Sequence, residues 1–379
     1  VPRSGAPRPD GATGAASREA LAAALAFVPS GRILSAAPLR VGHIHDTFVV
    51  IGEDRGAARR YLLQRLNRTA FPDPRPVLAN IERVTRHLRS SLAAEGVGDL
   101  ERRVLRLIPT RTGGTFWTDA GGACWRAYGF VEGAASRERL ASRGAARLVA
   151  HAFGEFARRL ASLPPPPLHV TIAGFHDTPA RLAALARAAE ADSLGRARRA
   201  RVAIDALLAR QGAAGVLTGA STRGELPLRV VHNDTKVNNV LLDRASGAPL
   251  CVVDLDTVMP GLPAHDFGDL VRSATGQACE GSGGKVEPGL LEALARGYLE
   301  GWAGELSAQE VASLAVGPQV ITLELAARFL TDHLEGDRYF KTRRPGENLE
   351  RCRGQIALLE QLETHAQTLA RLVERAARG

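Results

Sequence analysis

Apolar positions along this chain repeat with two different periods, and the change from one to the other divides it into a β-rich first part and a helical second part. SREALAAALAFV opens with Ser17 as a cap and Glu19 in the first turn, then continues in strong helix formers, which predicts a helix near 18–28. The runs TFVVIG and RYLLQRL, rich in β-branched and aromatic residues and separated by EDRG, predict antiparallel strands. After Pro76 the spacing of Val77, Ile81, Val84 and Leu88 predicts a helix. RVLRLIP and CWRAYGFV predict further strands, with TGG between them. Beyond VEGAAS, Ala/Leu/Arg segments predict helices near 137–163, 178–211, 290–303, 307–335 and 347–377. The class is therefore α+β: residues 1–17 as a flexible tail, 18–131 as a small antiparallel-sheet lobe, and 132–379 as a larger, mostly helical lobe, joined by a connector around 129–135.

One β-rich island interrupts the helices, LRVVHNDTKVNNVLLDRASGAPLCVVDLDTVMPG. It predicts a strand, a polar loop, the strand VLLD, a turn, and the strand LCVVDLD. Polar residues pressed between apolar strands are costly to bury unless they are satisfied or have work to do. The bland explanation is a hairpin whose Asp and Asn side chains bond their own turn. The loop also matches the needs of phosphoryl transfer, which takes a carboxylate to accept the acceptor hydroxyl's proton and oxygen ligands to hold magnesium against phosphates. His232, Asp234 and Asn239 reproduce the His-x-Asp-x-x-x-x-Asn spacing of a kinase catalytic loop. Lys236 can offset charge on the transferred group. His232 reads as support for the loop. Asp254, twenty residues past Asp234, ends the apolar run where a second magnesium ligand belongs. Asp256, two residues further, is expected to point the same way on a strand and to serve the substrate.

Composition narrows the choice. The chain has 379 residues and a 45% hydrophobic fraction, enough for two lobes with real cores. A net charge of +9 and a pI near 10.1 raise the question of a nucleic-acid partner. Yet only three of the 49 basic residues are lysines (Lys236, Lys285 and Lys341), and the arginines are scattered among alanines and glycines. No basic stripe with interleaved aromatics appears, so no nucleic acid is expected. Cys124, Cys251, Cys279 and Cys352 are too far apart in sequence for the usual paired zinc spacing. With no leader-like start and no 18-residue apolar span, the expectation is a cytoplasmic protein without a membrane partner. Nothing in the sequence sets an oligomeric state.

The segments GHIHDTF, YLLQRLN with FPDP, NIERVTRHL, WRAYGFVEG, FHDTPARL, HNDTKVNNVLLD, VVDLDTVMPG, HDFGD and RFLTDHLEGDRYF, in that order over about residues 30–355, resemble the aminoglycoside phosphotransferase and choline kinase superfamily. Within it they look most like the N-acetylhexosamine 1-kinase branch. The resemblance implies a two-lobed protein-kinase-like fold, ATP and magnesium as cofactors, Asp234 as base, Asn239 and Asp254 on the metal, and Asp266 bracing the catalytic loop. It makes FVEG, with Phe130 and Val131, the hinge that meets adenine, and Arg328 and Tyr339 contacts to a sugar. Two departures stand out. LRVGHIHDTF has a single glycine, so phosphate coverage falls to Gly42, His43 and their neighbours. No lysine precedes Lys236, so the usual strand lysine that pairs with ATP phosphates is missing. Its replacement is Gln64 by position or Arg65 by charge; electrostatics favours Arg65, and only one of the two can face the cleft. Glu82, on the following helix, is available to pair with an arginine there.

The expected activity is phosphorylation of a small sugar, at the anomeric hydroxyl of N-acetylglucosamine or N-acetylgalactosamine. An aminoglycoside or another small alcohol as acceptor is the alternative that keeps the chemistry. A catalytically silent nucleotide-binding protein is the alternative that does not.

Overall fold

A computed structural model describes residues 11–28, 32–39, 44–54, 56–275 and 285–378, with side chains of the first helix from Ser17 on. The chain forms two compact units. One holds the described residues up to Thr85 with Gly98–Glu132, and the other holds Arg86–Val97 with the described residues from Gly133 on. The change-over falls inside FVEG, while Arg86–Val97 groups with the second unit, apart from the rest of the 18–131 stretch.

In the first unit, α1 (Gly11–Ala24) takes in seven residues of the stretch expected to be tail, a sequence rich in alanine, the best helix former. Beside it lies an antiparallel sheet of β1 (Ile33–Pro38), β2 (Asp46–Asp54), β3 (Ala57–Arg65), β4 (Leu107–Ile108), β5 (Trp117–Thr118) and β6 (Cys124–Gly129), ordered β1-β2-β3-β6-β4 with β5 also on β6. Register is set by alternation. Phe48 opposes Leu63, Val50 opposes Tyr61 and Ala127 opposes Leu63, and these residues form one apolar face against Ala20, Ala23, Ala24 and Phe27. The other face carries Thr47, Gln64, Arg126 and Tyr128. The unit also holds the N-terminal part of α2 (Pro74–Ala94), which begins at the expected proline, and the short α3 (Leu100–Arg103). RVLRLIP is thus less extended than expected, because Asp99 takes a left-handed conformation (φ 58°) ahead of a helical turn, leaving two residues for β4.

The second unit is helical around the β island. β7 (Ala134–Ala135) is followed by α4 (Arg143–Leu160), capped by the Ser142 side chain. The expected helix over 178–211 divides into α5 (Thr178–Ala191) and α6 (Ala197–Leu208), since Asp192 (φ 34°) and Gly195 (φ 65°) end the first; α7 (Gln211–Ala214) and α8 (Val216–Thr222) follow. The island is β8 (Arg229–Val231), β9 (Val240–Asp243), β10 (Pro249–Val252) and β11 (Met259–Gly261). β9 lies between β7 and β10, and β11 pairs with β8. Next come α9 (Pro263–Thr275), α10 (Pro288–Trp302), α11 (Ala308–Leu314), α12 (Gly317–Glu335), α13 (Glu347–Thr364) and α14 (Ala366–Arg378). The stretch 307–335 is two helices, bent by 49° between α11 and α12. α12 starts where Gly317 meets α9: a Cβ on Gly317 would lie 2.0 Å from the Ala264 carbonyl, and one on Gly268 would lie 2.4 Å from the Gly317 carbonyl. Glycine lets the two helices touch backbone to backbone beside Asp266. Phe153, Phe267, Leu270, Leu294 and Tyr298 centre one core; Leu185, Leu207, Ala326 and Leu330 centre a second. Among the described residues no single helix is long and apolar enough to cross a membrane.

Candidate active site

The polar loop after β8 is held from below by α9. Asp266, in the first turn of α9, accepts the backbone N–H of His232 at 2.9 Å and of Asn233 at 2.6 Å, both on one fully buried carboxylate. Burial pushes this carboxyl up to about 6, against the opposing pull of His232 and the two amides. Thr235 donates its hydroxyl to the Asp266 carbonyl, and Thr257 donates to the His232 carbonyl at 2.8 Å. His232 is buried edge-on to Phe153, with Phe156 beside it; one ring nitrogen meets the Val253 carbonyl and Nδ1 accepts the Asp234 amide. That pattern puts the ring proton on Nε2. Asn233 sits at φ 63° and donates its side-chain amide to the Thr257 and Met259 carbonyls. A Cβ on Gly261 would lie 2.4 Å from Asn233 Oδ1, so the β11 glycine makes room for this side chain.

The loop thereby presents three side chains together. Lys236 Nζ lies 2.9 Å from Asp234 Oδ2, both half-buried. Burial alone would raise the Asp234 carboxyl, but Lys236 and His232 hold it below the usual carboxylate range. Burial likewise opposes the charge on Lys236, and Asp234 and Asp254 outweigh it and raise the ammonium. Asn239 donates its side-chain amide to the Asp234 carbonyl at 2.8 Å and to Asp234 Oδ2 at 3.3 Å, which leaves its Oδ1 as the atom available to a cation. The Val253 amide donates to the Asn239 carbonyl at 2.9 Å, tying the end of β10 to this residue one position before Asp254.

Asp254 and Asp256 do not share a strand face as expected. β10 ends at Val252, Asp254 turns left-handed (φ 63°, ψ 56°), and Leu255–Thr257 forms a 3-10 turn. Asp254 is exposed and Asp256 is 3% exposed, so the period-2 rule does not apply across the turn. A left-handed aspartate beside a polar cluster is a position where strain and function tend to coincide.

A second cluster brings the expected Arg328 and Tyr339 together with His176, Glu324 and His265, three residues that the sequence did not single out. One ring nitrogen of His176 meets the Asn233 carbonyl at 3.1 Å, and Nδ1 lies 3.2 Å from Glu324 Oε1; Thr178 donates to Glu324 Oε2 at 3.1 Å. Burial opposes charge on both partners, yet each holds the other ionised: His176 is raised and Glu324 lowered. His265, its ring tilted against that of His176 at 4.7 Å, is pushed down to about 3 by burial and by that neighbour. Arg328 stands 3.8 Å from Glu324 Oε1, with the rings of Phe175, Tyr339 and Phe340 each within 5.6 Å, and donates to the Tyr339 hydroxyl at 3.4 Å. Asp332 accepts the amides of Arg338, Tyr339 and Phe340, fixing the loop that carries those rings. Arg328 and Tyr339 are thus together, and Glu324 and His176 connect Arg328 to the catalytic loop. The His176–Glu324 contact itself was not legible, because the two residues lie 148 positions apart.

In the first unit, Arg65 lies on the α1 face of the sheet, where Asp46 and Glu19 take its guanidinium at 2.8 and 2.9 Å. The charge that made Arg65 attractive is therefore engaged by two carboxylates. Gln64 faces the opposite way, accepting from Arg126 Nε at 2.9 Å and donating to Thr47 Oγ1 at 3.3 Å. Glu82 is half-buried on α2. Phe130 lies under the Arg60 guanidinium at 4.3 Å, its amide directed to the Arg60 carbonyl, and Val131 is buried. Gly42 and His43 fall outside the described residues.

The model of the phosphotransferase enzyme family (APH) matches residues 35–306. Similar solved structures include a choline kinase from Cryptosporidium parvum (TM-score 0.59, 12% identity, 92% of this chain and 95% of that one). An aminoglycoside phosphotransferase from Alicyclobacillus acidocaldarius matches with TM-score 0.57 and 14% identity over 98% of both chains. A microcompartment-associated aminopropanol kinase matches with TM-score 0.56 and 16% identity over 93% of this chain and 98% of that one. At these identities the likeness establishes the fold, an antiparallel-sheet unit followed by a helical unit of the protein-kinase-like kind.

Proposed function

The chain belongs to the phosphotransferase enzyme family, and from that premise we propose that it is an ATP- and magnesium-dependent kinase that phosphorylates the anomeric hydroxyl of an N-acetylhexosamine. The observation that carries the phosphotransfer reading is the loop itself: Asp234, Lys236 and Asn239 converge on a frame of buried backbone hydrogen bonds. Asp234, kept ionised by Lys236, orients the acceptor hydroxyl and accepts its proton as the oxygen attacks the terminal phosphate. Lys236 offsets negative charge in the transition state. Asn239 Oδ1 and the Asp254 carboxylate form an oxygen donor set that suits magnesium, an ion that keeps several waters and takes few protein ligands. When bound there, magnesium would supply charge neutralisation on the phosphates. His232 and Asp266 hold the loop and touch no reactant. Gly42, His43, Glu82, Phe130 and Val131 remain the candidates for nucleotide contact.

The acceptor reading rests on the Arg328 cluster. A guanidinium ringed by three aromatic side chains offers a sugar an apolar platform with hydrogen-bond donors at its edge. It repels an acceptor that carries several ammonium groups. The nearby acids are already committed, Glu324 to His176 and Thr178, and Asp332 to three backbone amides. This favours a neutral acceptor over an aminoglycoside or choline; Asp256, expected to serve the substrate, is buried, with its backbone carbonyl accepting from Thr171. Magnesium-dependent ADP release across N-acetylhexosamines, plain hexoses, aminoglycosides and choline tests the reading. Highest kcat/KM for an N-acetylhexosamine is expected; turnover of polyamine acceptors alone would discard the sugar.

A further inference from the structure

The peptide unit between Asn233 and Asp234 is held at both ends by histidines. The Asp234 amide donates to His232 Nδ1 at 3.2 Å, and the Asn233 carbonyl meets His176 Nε2 at 3.1 Å. A peptide unit is planar, so these two bonds fix its rotation and with it the direction in which the Asp234 side chain leaves the backbone. The second tie matters because Asn233 sits at φ 63°, a left-handed conformation that a residue with a Cβ keeps only where its surroundings impose it.

Hydrogen-bond chemistry sets the protonation state of His176. Its Nδ1 lies 3.2 Å from Glu324 Oε1, so both ring nitrogens face oxygen acceptors, and the ring satisfies both only with two protons. Glu324 is the acceptor in that contact, because Arg328 stands 3.8 Å from the same oxygen and Thr178 donates to the other. With side chains 9% and 2% exposed, the His176–Glu324 pair is little screened by solvent. Burial opposes the charge on the ring, and Glu324 outweighs it, so the imidazolium persists above the ordinary imidazole value. The ionisable groups that face the ring are Glu324 and Arg328 on α12, and His265, Asp266 and Asp269 on α9. Asp177, next in the chain, accepts the Ala180 amide as the cap of α5. When the ring gives up one proton, the other stays toward the carboxylate. A bare nitrogen then faces the Asn233 carbonyl, and two lone pairs replace a hydrogen bond.

Resting on the phosphotransfer reading above, we propose that His176 is a positioning residue for Asp234: an imidazolium bridging Glu324 and the Asn233 carbonyl fixes the peptide unit before the base, and loss of its proton releases that unit and lowers turnover. Acting through Asp234, His176 governs kcat and leaves nucleotide affinity alone.

The test is a pH series of kcat on the full chain, with ATP, magnesium and the fastest acceptor of the panel above, beside nitrogen-15 NMR of the histidine rings. At pH 7 both ring nitrogens of His176, assigned by the signal missing from His176→Gln, are expected to carry protons. In wild type, kcat falls as pH rises through the deprotonation of this ring. Glu324→Gln keeps the shape of the site and removes the counter-charge, so that fall moves to lower pH, whereas a fall set by Lys236 would stay in place. His176→Gln is expected to lower kcat by about tenfold or more, with ADP affinity within about twofold of wild type. If that variant does not fold, the Glu324→Gln profile decides alone. A neutral His176 ring at pH 7, a wild-type profile that Glu324→Gln leaves unmoved, or full turnover in His176→Gln overturns the proposal. Wild-type protein that turns over no acceptor overturns the phosphotransfer reading and this inference with it, whereas a wild type that turns over normally confines any failure to His176.

Discussion

The catalytic loop and the N-terminal sheet fix their polar side chains by opposite means. In the loop the partners are mostly backbone groups: Asp266 takes two amides, Asn233 binds two carbonyls, Asn239 binds one and His232 bridges to Val253. These bonds are shielded from water. On the sheet, arginines pair with carboxylates at the surface, as in Arg32–Glu53, Arg60–Glu132 and Arg65–Asp46, with side chains 31–69% exposed. Exposed pairs are screened and cost rotamer freedom, while a buried group that loses its partner keeps its whole desolvation penalty. Similar-looking charged residues therefore carry very different weight in the two regions.

Substitutions separate the two regimes. The largest effect is expected at the reacting group: Asp234→Asn keeps the shape of the loop, so turnover falls by about 10²–10⁴-fold with little change in melting temperature. Asp266→Ala leaves two buried amides without an acceptor and should cost about 3 kcal/mol or more in urea denaturation, with activity lost alongside.

His176→Gln removes one half of a buried ion pair, a loss of about 3 kcal/mol at its maximum. Its pH dependence has a defined sign. His176 is raised, so its contribution is complete below the ordinary imidazole pKa and fades as pH rises through the raised value. Glu324 is lowered, so its contribution is complete above the ordinary carboxylate pKa and fades as pH falls through the depressed value. The groups that face the pair are Arg328 on the same helix as Glu324, and His265 and Asp269 on α9. The stability gap between wild type and variant should be widest between about pH 4.5 and 6.5, measured by denaturation over a pH series. A gap independent of pH would show that the pair is uncharged. Arg65→Gln is the smallest change, at most about 1 kcal/mol by the same denaturation assay, with ADP affinity within about twofold of wild type.

Most of this architecture was legible in the chain. TFVVIG and RYLLQRL gave β2 and β3 because alternation is strong and one face is buried. HNDTKVNN between two apolar runs marked the loop, because polar residues between strands are costly to bury unless they are satisfied or functional. What stayed hidden depends on contacts distant in sequence. Gln64 and Arg65 could not be separated until α1 placed Glu19 beside Arg65 and β6 placed Arg126 beside Gln64. The Ala-rich run at 178–211 looked continuous because two residues, Asp192 and Gly195, end its first helix. Asp254 and Asp256 were misplaced because a left-handed residue cancels the strand period.

Sugar 1-phosphorylation is decided by incubating the wild-type chain with ATP, magnesium and N-acetylglucosamine or N-acetylgalactosamine and following the phosphorus by NMR. An acid-labile phosphate on the anomeric carbon, formed together with ADP and absent from an Asp234→Asn reaction, is the predicted result. Tight ATP binding with no phosphate transferred to any acceptor would contradict it, and would make the loop a nucleotide-binding frame without a reaction.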